Sequence, residues 1–86
     1  MRLEFTERGW EHYLYWQNHD QRMLGKINEL LKDCLRSPYS GIGKPEPLRQ
    51  ELSGWWSRRI NDEHRLVYRV EQDRLQVAQC RYHYSR

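Results

Sequence analysis

The sequence predicts an α+β fold, in which two helices pack on one face of a mainly antiparallel sheet of about four to five strands. Two observations support this fold class. Apolar residues recur at helical spacing through the first 36 residues, and they alternate with polar residues after residue 55. The chain has 86 residues, which is too few for two independent cores, so residues 1–86 are predicted to form a single domain.

The N-terminal half is predicted to hold one short strand and two helices. Residues 1–6 alternate as a strand does. Thr6 can cap a helix over residues 7–18, and Asp20 can cap a second helix over residues 21–36. The buried side of the first helix is expected to carry Trp10, Tyr13, Leu14 and Tyr15. The second helix has a continuous apolar stripe made of Met23, Leu24, Ile27, Leu30, Leu31, Cys34 and Leu35.

Residues 37–47 are predicted to form a loop, because they contain three prolines and two glycines. Glu46 lies between Pro45 and Pro47. Neither proline has an amide hydrogen, and each restricts the residue before it. Glu46 is therefore expected to be locally rigid and to lie outside any regular helix. The alternative, an exposed loop acid with no special role, stays open at this point.

The second half is predicted to be a succession of strands. The first runs from Trp55 to a turn at residues 61–63, the second covers residues 64–71, and a tight hairpin at residues 72–73 leads into a last strand over residues 74–82. The mixed pattern of the last strand predicts a central position in the sheet. Leu66, Tyr68 and Val70 are expected to face the core, whereas the opposite face, with Arg59, Arg65 and Arg81, is expected to be open and basic.

The basic excess lies in the second half of the chain. The net charge is +3, and residues 44–86 hold nine basic and six acidic side chains, whereas residues 1–43 hold six of each. A guanidinium can grip a phosphate through two parallel hydrogen bonds. Together with the aromatic residues between them, these basic side chains are compatible with a polyanion partner and with a solvated sheet face. Eight of the nine are arginines: Arg49, Arg58, Arg59, Arg65, Arg69, Arg74, Arg81 and Arg86.

Cysteine and histidine usage predicts no metal or other cofactor. Cys34 and Cys80 lack metal-ligand spacing and are expected to be buried thiols in a reducing cytoplasm. His12 and His19 are predicted to lie on the surface, and His64, at the start of a strand, is predicted to have a structural role. The sequence shows no signal peptide, and no apolar stretch approaches the ~20 residues of a membrane helix.

The chain offers a candidate for each role that RNA cleavage without a metal requires. In that reaction the ribose 2′-hydroxyl attacks the adjacent phosphate, so a base, an acid and a cation are needed. Glu46 is the candidate base, Arg65 the candidate cation for the phosphate, and His83 the candidate acid, because imidazole donates protons near neutral pH. Tyr84 and Tyr82 can stack on a base or orient the ribose.

Each of these assignments has a structural alternative. His83 and Tyr84 can belong to a frayed terminus. Arg65 can form a surface ion pair of small energetic value with Glu63 or Glu71. A non-catalytic basic module that binds RNA or DNA is the alternative function. Such a module needs cations and stacking, but neither a carboxylate base nor a terminal histidine.

Several stretches in order along the chain resemble the YoeB family of toxins, within the wider RelE group of bacterial toxin–antitoxin systems. The resemblance covers almost the whole chain, and this many ordered matches in so short a chain are specific. The stretches are Tyr13-Leu14-Tyr15-Trp16-Gln17, Lys26-Ile27-Asn28-Glu29-Leu30, Gly43-Lys44-Pro45-Glu46-Pro47-Leu48, Leu52-Ser53-Gly54, Trp56-Ser57-Arg58-Arg59-Ile60, Glu63-His64-Arg65-Leu66-Val67-Tyr68 and Cys80-Arg81-Tyr82-His83-Tyr84.

The resemblance implies a microbial ribonuclease-like fold and a ribosome-dependent endoribonuclease, which cuts messenger RNA in the ribosomal A site and arrests translation. It assigns the base to Glu46, the acid to His83, the phosphate clamp to Arg65 and a supporting aromatic role to Tyr84. These roles agree with the chemistry argued above from the residues themselves.

The resemblance also implies further contacts and partners. Lys44, Arg49 and Arg59 would hold the RNA backbone or ribosomal RNA, and Glu63 would orient Arg65 or Arg59. The implied partners are the ribosome, its messenger RNA and a YefM-like antitoxin whose acidic C-terminal segment wraps the toxin. Free toxin is expected to be a homodimer, and operator DNA is expected to be bound only through the antitoxin complex.

Overall fold

The computed structural model describes residues 1–84 and has the predicted α+β architecture. The Ser85-Arg86 extension, which is expected to stay solvated, lies outside the described residues. Two helices and five strands make up the fold of these described residues. In chain order they are β1 (Arg2–Phe5), α1 (Glu7–His19), α2 (Gln21–Arg36), β2 (Glu46–Pro47), β3 (Trp56–Arg59), β4 (Arg65–Glu71) and β5 (Arg74–Gln79), with a short 3₁₀ turn at Gln50–Leu52.

The strands form one sheet in the order β1-β5-β4-β3-β2. Only β1 and β5 pair in parallel, and the other three pairs are antiparallel, so the prediction of a mainly antiparallel sheet is confirmed. The parallel pair is possible because the two helices return the chain across the sheet between the strands. β5 lies between β1 and β4, which confirms its predicted central position.

Both helices begin at the predicted caps. The Thr6 hydroxyl accepts a hydrogen bond from the amide of Gly9 at 3.1 Å, and one carboxylate oxygen of Asp20 accepts from two amides of α2. The apolar stripe of α2 packs on the sheet and forms the core with it. The fully buried core side chains are Ile27, Cys34, Leu66, Tyr68, Leu75, Val77 and Cys80. Burial raises the pKa of the Cys34 thiol to about 11 and that of Cys80 to about 12, so neither thiol ionises near neutral pH.

The buried face of α1 differs from the prediction. Trp10 is 47% exposed, whereas His12 and Trp16 are each only 7% exposed, so the expectations that Trp10 is buried and that His12 lies on the surface are wrong. The cause is Gly9, which has no side chain and lets α1 approach the backbone of β5 at Val77. The residues that face the sheet therefore follow Gly9 at helical spacing.

The face of the sheet opposite the helices is less open than predicted. Ser57, Val67 and Gln79 on that face are buried. The last strand ends at Gln79 rather than at residue 82, and residues 80–84, here called the C-terminal tail, leave the sheet. The turn at residues 61–63 is as predicted, because the Asn61 side-chain oxygen accepts from the amides of Glu63 and His64.

The part of the chain that the structure describes has no helix with the length and apolar character needed to cross a lipid bilayer.

The two helical glycines make a matched pair of stability tests. A Cβ at Gly9 would overlap the backbone carbonyl of Val77, whereas a Cβ at Gly25 would meet nothing within 4 Å among residues 1–84 apart from its chain neighbours and the adjacent backbone of its own helix. Gly9→Ala should therefore lower the free energy of unfolding by about 1–3 kcal/mol. Gly25→Ala should raise it by about 0.5–1 kcal/mol, because alanine favours helix. Urea denaturation measures both changes, and equal effects of the two substitutions would contradict the close approach at Gly9.

Candidate active site

A buried arginine holds the loop that precedes Glu46. Arg58 on β3 is fully buried on the core side of the sheet, and its guanidinium makes five hydrogen bonds. It donates to the Asp33 carboxylate at 2.5 Å and to the Tyr68 hydroxyl at 3.1 Å. The other three acceptors are the loop carbonyls of Ser37, Ser40 and Ile42, at 2.6, 2.9 and 3.0 Å. The hydrogen bonds from Arg58 and from the Ile42 amide lower the pKa of the Asp33 carboxyl.

The same loop then delivers Glu46 to the edge of the sheet. The Arg59 amide donates to the carbonyl of Gly43 at 2.7 Å, and this contact fixes the point at which the loop reaches β3. Gly43 has a φ of 81° and packs against the backbone of Arg59, so only a glycine fits there without strain. Glu46 pairs with Ser57 in the short antiparallel ladder of β2 and β3. It lies outside any helix, as predicted.

The C-terminal tail is held by side chains from three parts of the fold. The indole of Trp16 donates to the carbonyl of Cys80 at 2.8 Å, and His12 Nδ1 accepts from the Cys80 amide at 3.2 Å. His64 Nδ1 accepts from the Tyr82 amide at 2.7 Å, so His64 has the structural role that its position indicated. The side-chain NH2 group of Gln79 lies within hydrogen-bond distance of the carbonyls of residues 81–83, so its two hydrogens are shared among three acceptors.

These anchored segments meet at one cavity of about 220 Å³. Six of its lining residues were predicted from the sequence as site residues, and they come from the loop, from three strands and from the tail. The lining residues are Lys44, Glu46, Ser57, Arg59, Arg65, His83 and Tyr84. A second cavity of about 320 Å³ adjoins it and shares Glu46 and Tyr84. Arg49 lines this second cavity, together with Pro47, Leu48, Gln50 and Leu52.

The charges of the cavity do not cancel. Within residues 1–84, Lys44, Arg59 and Arg65 form no ion pair with a carboxylate. Glu46 likewise forms no ion pair with a cationic side chain of these residues. Three cations therefore face one carboxylate. A cavity with this excess of positive charge favours an anion such as a phosphodiester.

Arg65 is only 8% exposed and is anchored by the backbone. Its Nη1 donates to the carbonyls of Asn61 at 2.8 Å and His64 at 3.1 Å. Within the described residues its Nε and Nη2 have no hydrogen-bond partner, and neither atom is completely enclosed. One edge of the guanidinium thus fixes the side chain, and the other edge is available to a phosphate.

His83 and Tyr84 complete the cavity from the tail. Their ring centroids lie 4.4 Å apart, with an interplanar angle of 35°. His83 is exposed, and Tyr84 lines both cavities. An aromatic ring in this position can stack on a nucleobase.

The structure does not bring every predicted residue to the cavity. Tyr82 lies on the α1 side, where its ring meets His12 edge-on at 5.8 Å. Glu63 is directed to His64, with 3.7 Å between the carboxylate and Nε2, and its side chain is 80% exposed. The expectation that Glu63 orients Arg65 or Arg59 is not met in this geometry, because backbone carbonyls already hold Arg65.

The arginines predicted as one basic set divide into two groups. Arg49, Arg59 and Arg65 line the two cavities. Four others are engaged with the protein and correct the expectation of a single basic face: Arg58 is internal, Arg69 and Arg74 pair with Glu71 and Glu4, and Arg81 lies 3.5 Å from the ring centroid of Tyr15 on α1. Arg86 lies outside the described residues.

Sequence reasoning missed two residues. Ser57 lines the cavity, and its place on the same strand face as Arg59 was the one available signal. No sequence pattern pointed to Gln79, because its contacts depend on the path of the tail. No group of three His, Cys, Asp or Glu side chains in residues 1–84 is arranged to hold a metal ion.

Comparison with known proteins identifies close relatives over the full chain. Residues 5–84 match a family model described as the YoeB-like toxin of bacterial type II toxin–antitoxin systems. Toxin YoeB of Escherichia coli K12 is 60% identical over 84 residues, which is 98% of this chain and 100% of that protein.

Solved structures agree with this assignment. The YoeB/ParE toxin from Agrobacterium tumefaciens superposes with a TM-score of 0.95 at 51% identity, covering 98% of this chain and 100% of that one. The YoeB dimer from Staphylococcus aureus gives a TM-score of 0.90, and the heterotetrameric YoeB-YefM toxin-antitoxin complex from the same organism gives 0.89. Both are 48% identical, with 98% of each chain covered.

His12 predicts a pH dependence of stability. Burial lowers its pKa from the ordinary 6.5 to about 4, helped by the positive charges of Arg8 and Arg81 and by His64. The unfolded chain therefore binds a proton at a pH where the folded chain does not, and the free energy of unfolding should fall as the pH decreases from about 6.5 to about 4. The lowered pKa of Asp33 acts in the same direction only below this window.

Urea denaturation at several pH values measures this slope. His12→Asn should flatten it between pH 4 and 6.5, whereas His19→Asn, an exposed substitution on the same helix, should leave it unchanged. An undiminished slope in His12→Asn would assign the effect to other groups.

Proposed function

The chain belongs to the YoeB-like toxins of bacterial type II toxin–antitoxin systems, and from that premise we propose that it is a ribosome-dependent endoribonuclease that cleaves messenger RNA in the A site. The observation that carries this proposal is the single cavity that Glu46, Arg65 and His83 line together. These residues are 19 and 18 positions apart along the chain, so their convergence depends on the fold and not on their order in the sequence.

The proposed reaction is metal-independent, because side chains supply each function. Glu46 accepts the proton of the ribose 2′-hydroxyl, and the 2′-oxygen forms a bond to phosphorus. The bond from phosphorus to the 5′-oxygen breaks, and His83 donates a proton to that leaving oxygen. The products are a 2′,3′-cyclic phosphate and a 5′-hydroxyl. General acid–base catalysis contributes about 10²–10⁴-fold for each group.

The neighbouring strands of the cavity support this division of roles. Arg59 lies on β3 and Arg65 on β4, and Glu46 lies on β2 beside β3. The tail brings His83 to the same cavity. A phosphate held there is within the cavity that the base and the acid both line, and the cations stabilise the added negative charge.

Cleavage explains the cavity better than binding alone. A carboxylate weakens the binding of a phosphate, yet Glu46 lies in the cavity without a cationic partner among the described residues. A non-catalytic module that binds RNA or DNA has no use for this group, whereas a ribonuclease needs it as a base.

The proposed partners follow from the relatives. The Staphylococcus aureus structures are a YoeB dimer and a YoeB-YefM complex, and we extend both arrangements to this chain: a homodimer when free, and a YefM-like antitoxin as inhibitor. Operator DNA is bound only through the antitoxin complex. The ribosome, with its messenger and ribosomal RNA, is the cytoplasmic target, and Lys44, Arg49 and Arg59 supply contacts to its phosphates.

His83→Gln tests the proposed acid. The variant should keep the fold and RNA binding but lose at least about 100-fold in cleavage rate, because glutamine cannot protonate the leaving oxygen. The measurement is the mapping of 5′ ends of a defined message in a purified translating complex. His19→Gln, an exposed substitution on α1, is the matched control. Undiminished cleavage by His83→Gln would remove this residue from the mechanism.

Arg65→Ala tests the phosphate clamp. The cleavage rate of this variant should fall about tenfold or more, because no guanidinium is left to stabilise the charge on the phosphate in the transition state. Arg69→Ala is the control, since Arg69 lies on the same strand and the same face but outside the cavity. It should cut at nearly the wild-type rate. Equal rates for the two variants would show that the phosphate is held elsewhere.

A further inference from the structure

The tail that carries His83 has no strand pairing to hold it in place. We infer that Gln79 is a positioning residue for cleavage, because its side-chain amide holds the tail in the conformation that presents His83 to the cavity. This inference rests on the proposed function and deepens it. Gln79 does not line the catalytic cavity, so its effect on the reaction is exerted through His83.

One nitrogen of Gln79 organises three successive carbonyls. Nε2 lies 2.9 Å from the carbonyl oxygen of Arg81, 3.1 Å from that of Tyr82 and 2.9 Å from that of His83. Gln79 is only 6% exposed, so water does not replace these bonds easily. Three carbonyls that converge on one point repel each other unless a donor lies between them. The amide of Gln79 is therefore what makes this tight turn of the tail favourable.

The turn includes a backbone conformation that needs external support. Tyr82 has a φ of 67°, in the left-handed region that a residue with a bulky side chain seldom adopts. Its amide donates to His64 Nδ1 and its carbonyl accepts from the Arg65 amide at 2.9 Å. Gln79 and His64 thus hold Tyr82 on both sides, and this conformation directs the next residue, His83, back toward the sheet.

The same contacts connect the acid to the phosphate clamp. The Tyr82 carbonyl accepts from the backbone of Arg65, while the carbonyls of Asn61 and His64 accept from the Arg65 side chain. A displacement of the tail therefore changes the position of His83 relative to a phosphate bound at Arg65. Misplacement of a catalytic group by about 1 Å can cost on the order of 10²-fold in rate.

Two variants remove the donor in different ways. Gln79→Glu keeps the shape but replaces the amide with a carboxylate that repels the three carbonyls. Gln79→Met keeps the length without adding a charge, and so remains informative if the glutamate variant folds poorly. Gln17→Glu, the same chemical change at an exposed position of α1, is the control. Circular dichroism establishes that each variant is folded.

The decisive comparison uses two messages in the same translating complex, under single-turnover conditions. One has an ordinary scissile phosphate. The other has sulfur in place of the bridging 5′-oxygen, and its thiolate leaving group departs without protonation. With the ordinary message, both Gln79 variants should cut about 10–100-fold more slowly than wild type, with an unchanged half-saturating concentration. With the sulfur message, they should cut within about threefold of wild type, as His83→Gln should.

The outcomes separate positioning from general stability. Wild-type rates with the ordinary message would overturn the inference. An equal loss with both messages, or failure of both variants to fold, would assign Gln79 a merely structural role and also overturn it.

If the wild-type protein cuts neither message, the proposed function itself fails, and with it the role of Gln79 in cleavage. Hydrogen exchange at the Tyr82 and Arg65 amides distinguishes that case. Exchange at least tenfold faster in both variants would show that Gln79 does hold the tail, and unchanged exchange would show that it does not.

Discussion

Arg58 lies in the middle of β3, and its guanidinium joins the sheet, the second helix and the loop of residues 37–43 through five hydrogen bonds. Loss of this buried guanidinium would leave the Asp33 carboxylate and three loop carbonyls without this donor, and a domain is stable by only about 5–15 kcal/mol, so substitution of Arg58 should be strongly destabilising. The adjacent residue, Arg59, faces the cavity. β3 thus has two roles. Arg58 fixes the loop that leads to Glu46, and Arg59 presents a positive charge to the cavity.

The cavity is built where regular structure ends. The proposed acid and the proposed base both lie outside the central strands, Glu46 on a two-residue edge strand and His83 on the tail. In each case buried side chains bind backbone carbonyls: Arg58 does so for the loop and Gln79 for the tail. Irregular backbone can be as well fixed as a strand when its polar groups are satisfied in this way.

Periodicity predicted most of the fold, because the patterns of α2, β4 and β5 are local. It failed for α1, where the residue that determines the buried face is Gly9, which adds nothing to an apolar pattern. It also could not separate Arg58 from its neighbours, since the burial of a charge depends on partners more than 15 residues away. Glu46, Arg65 and His83 were accessible because their chemistry is specific. Gln79 could not be predicted, because its role depends on contacts with the tail carbonyls, and the sequence does not show the path of the tail.

The central position of β5 has a consequence for the synthesis of this protein. A chain emerges from its amino end, so β1 and the helices are complete while the partner strand of β1 is still untranslated. The sheet is complete only after β5 has inserted between β1 and β4, and the segment that carries His83 follows β5. The cavity therefore forms late, because its lining from the tail depends on the last strand being in place.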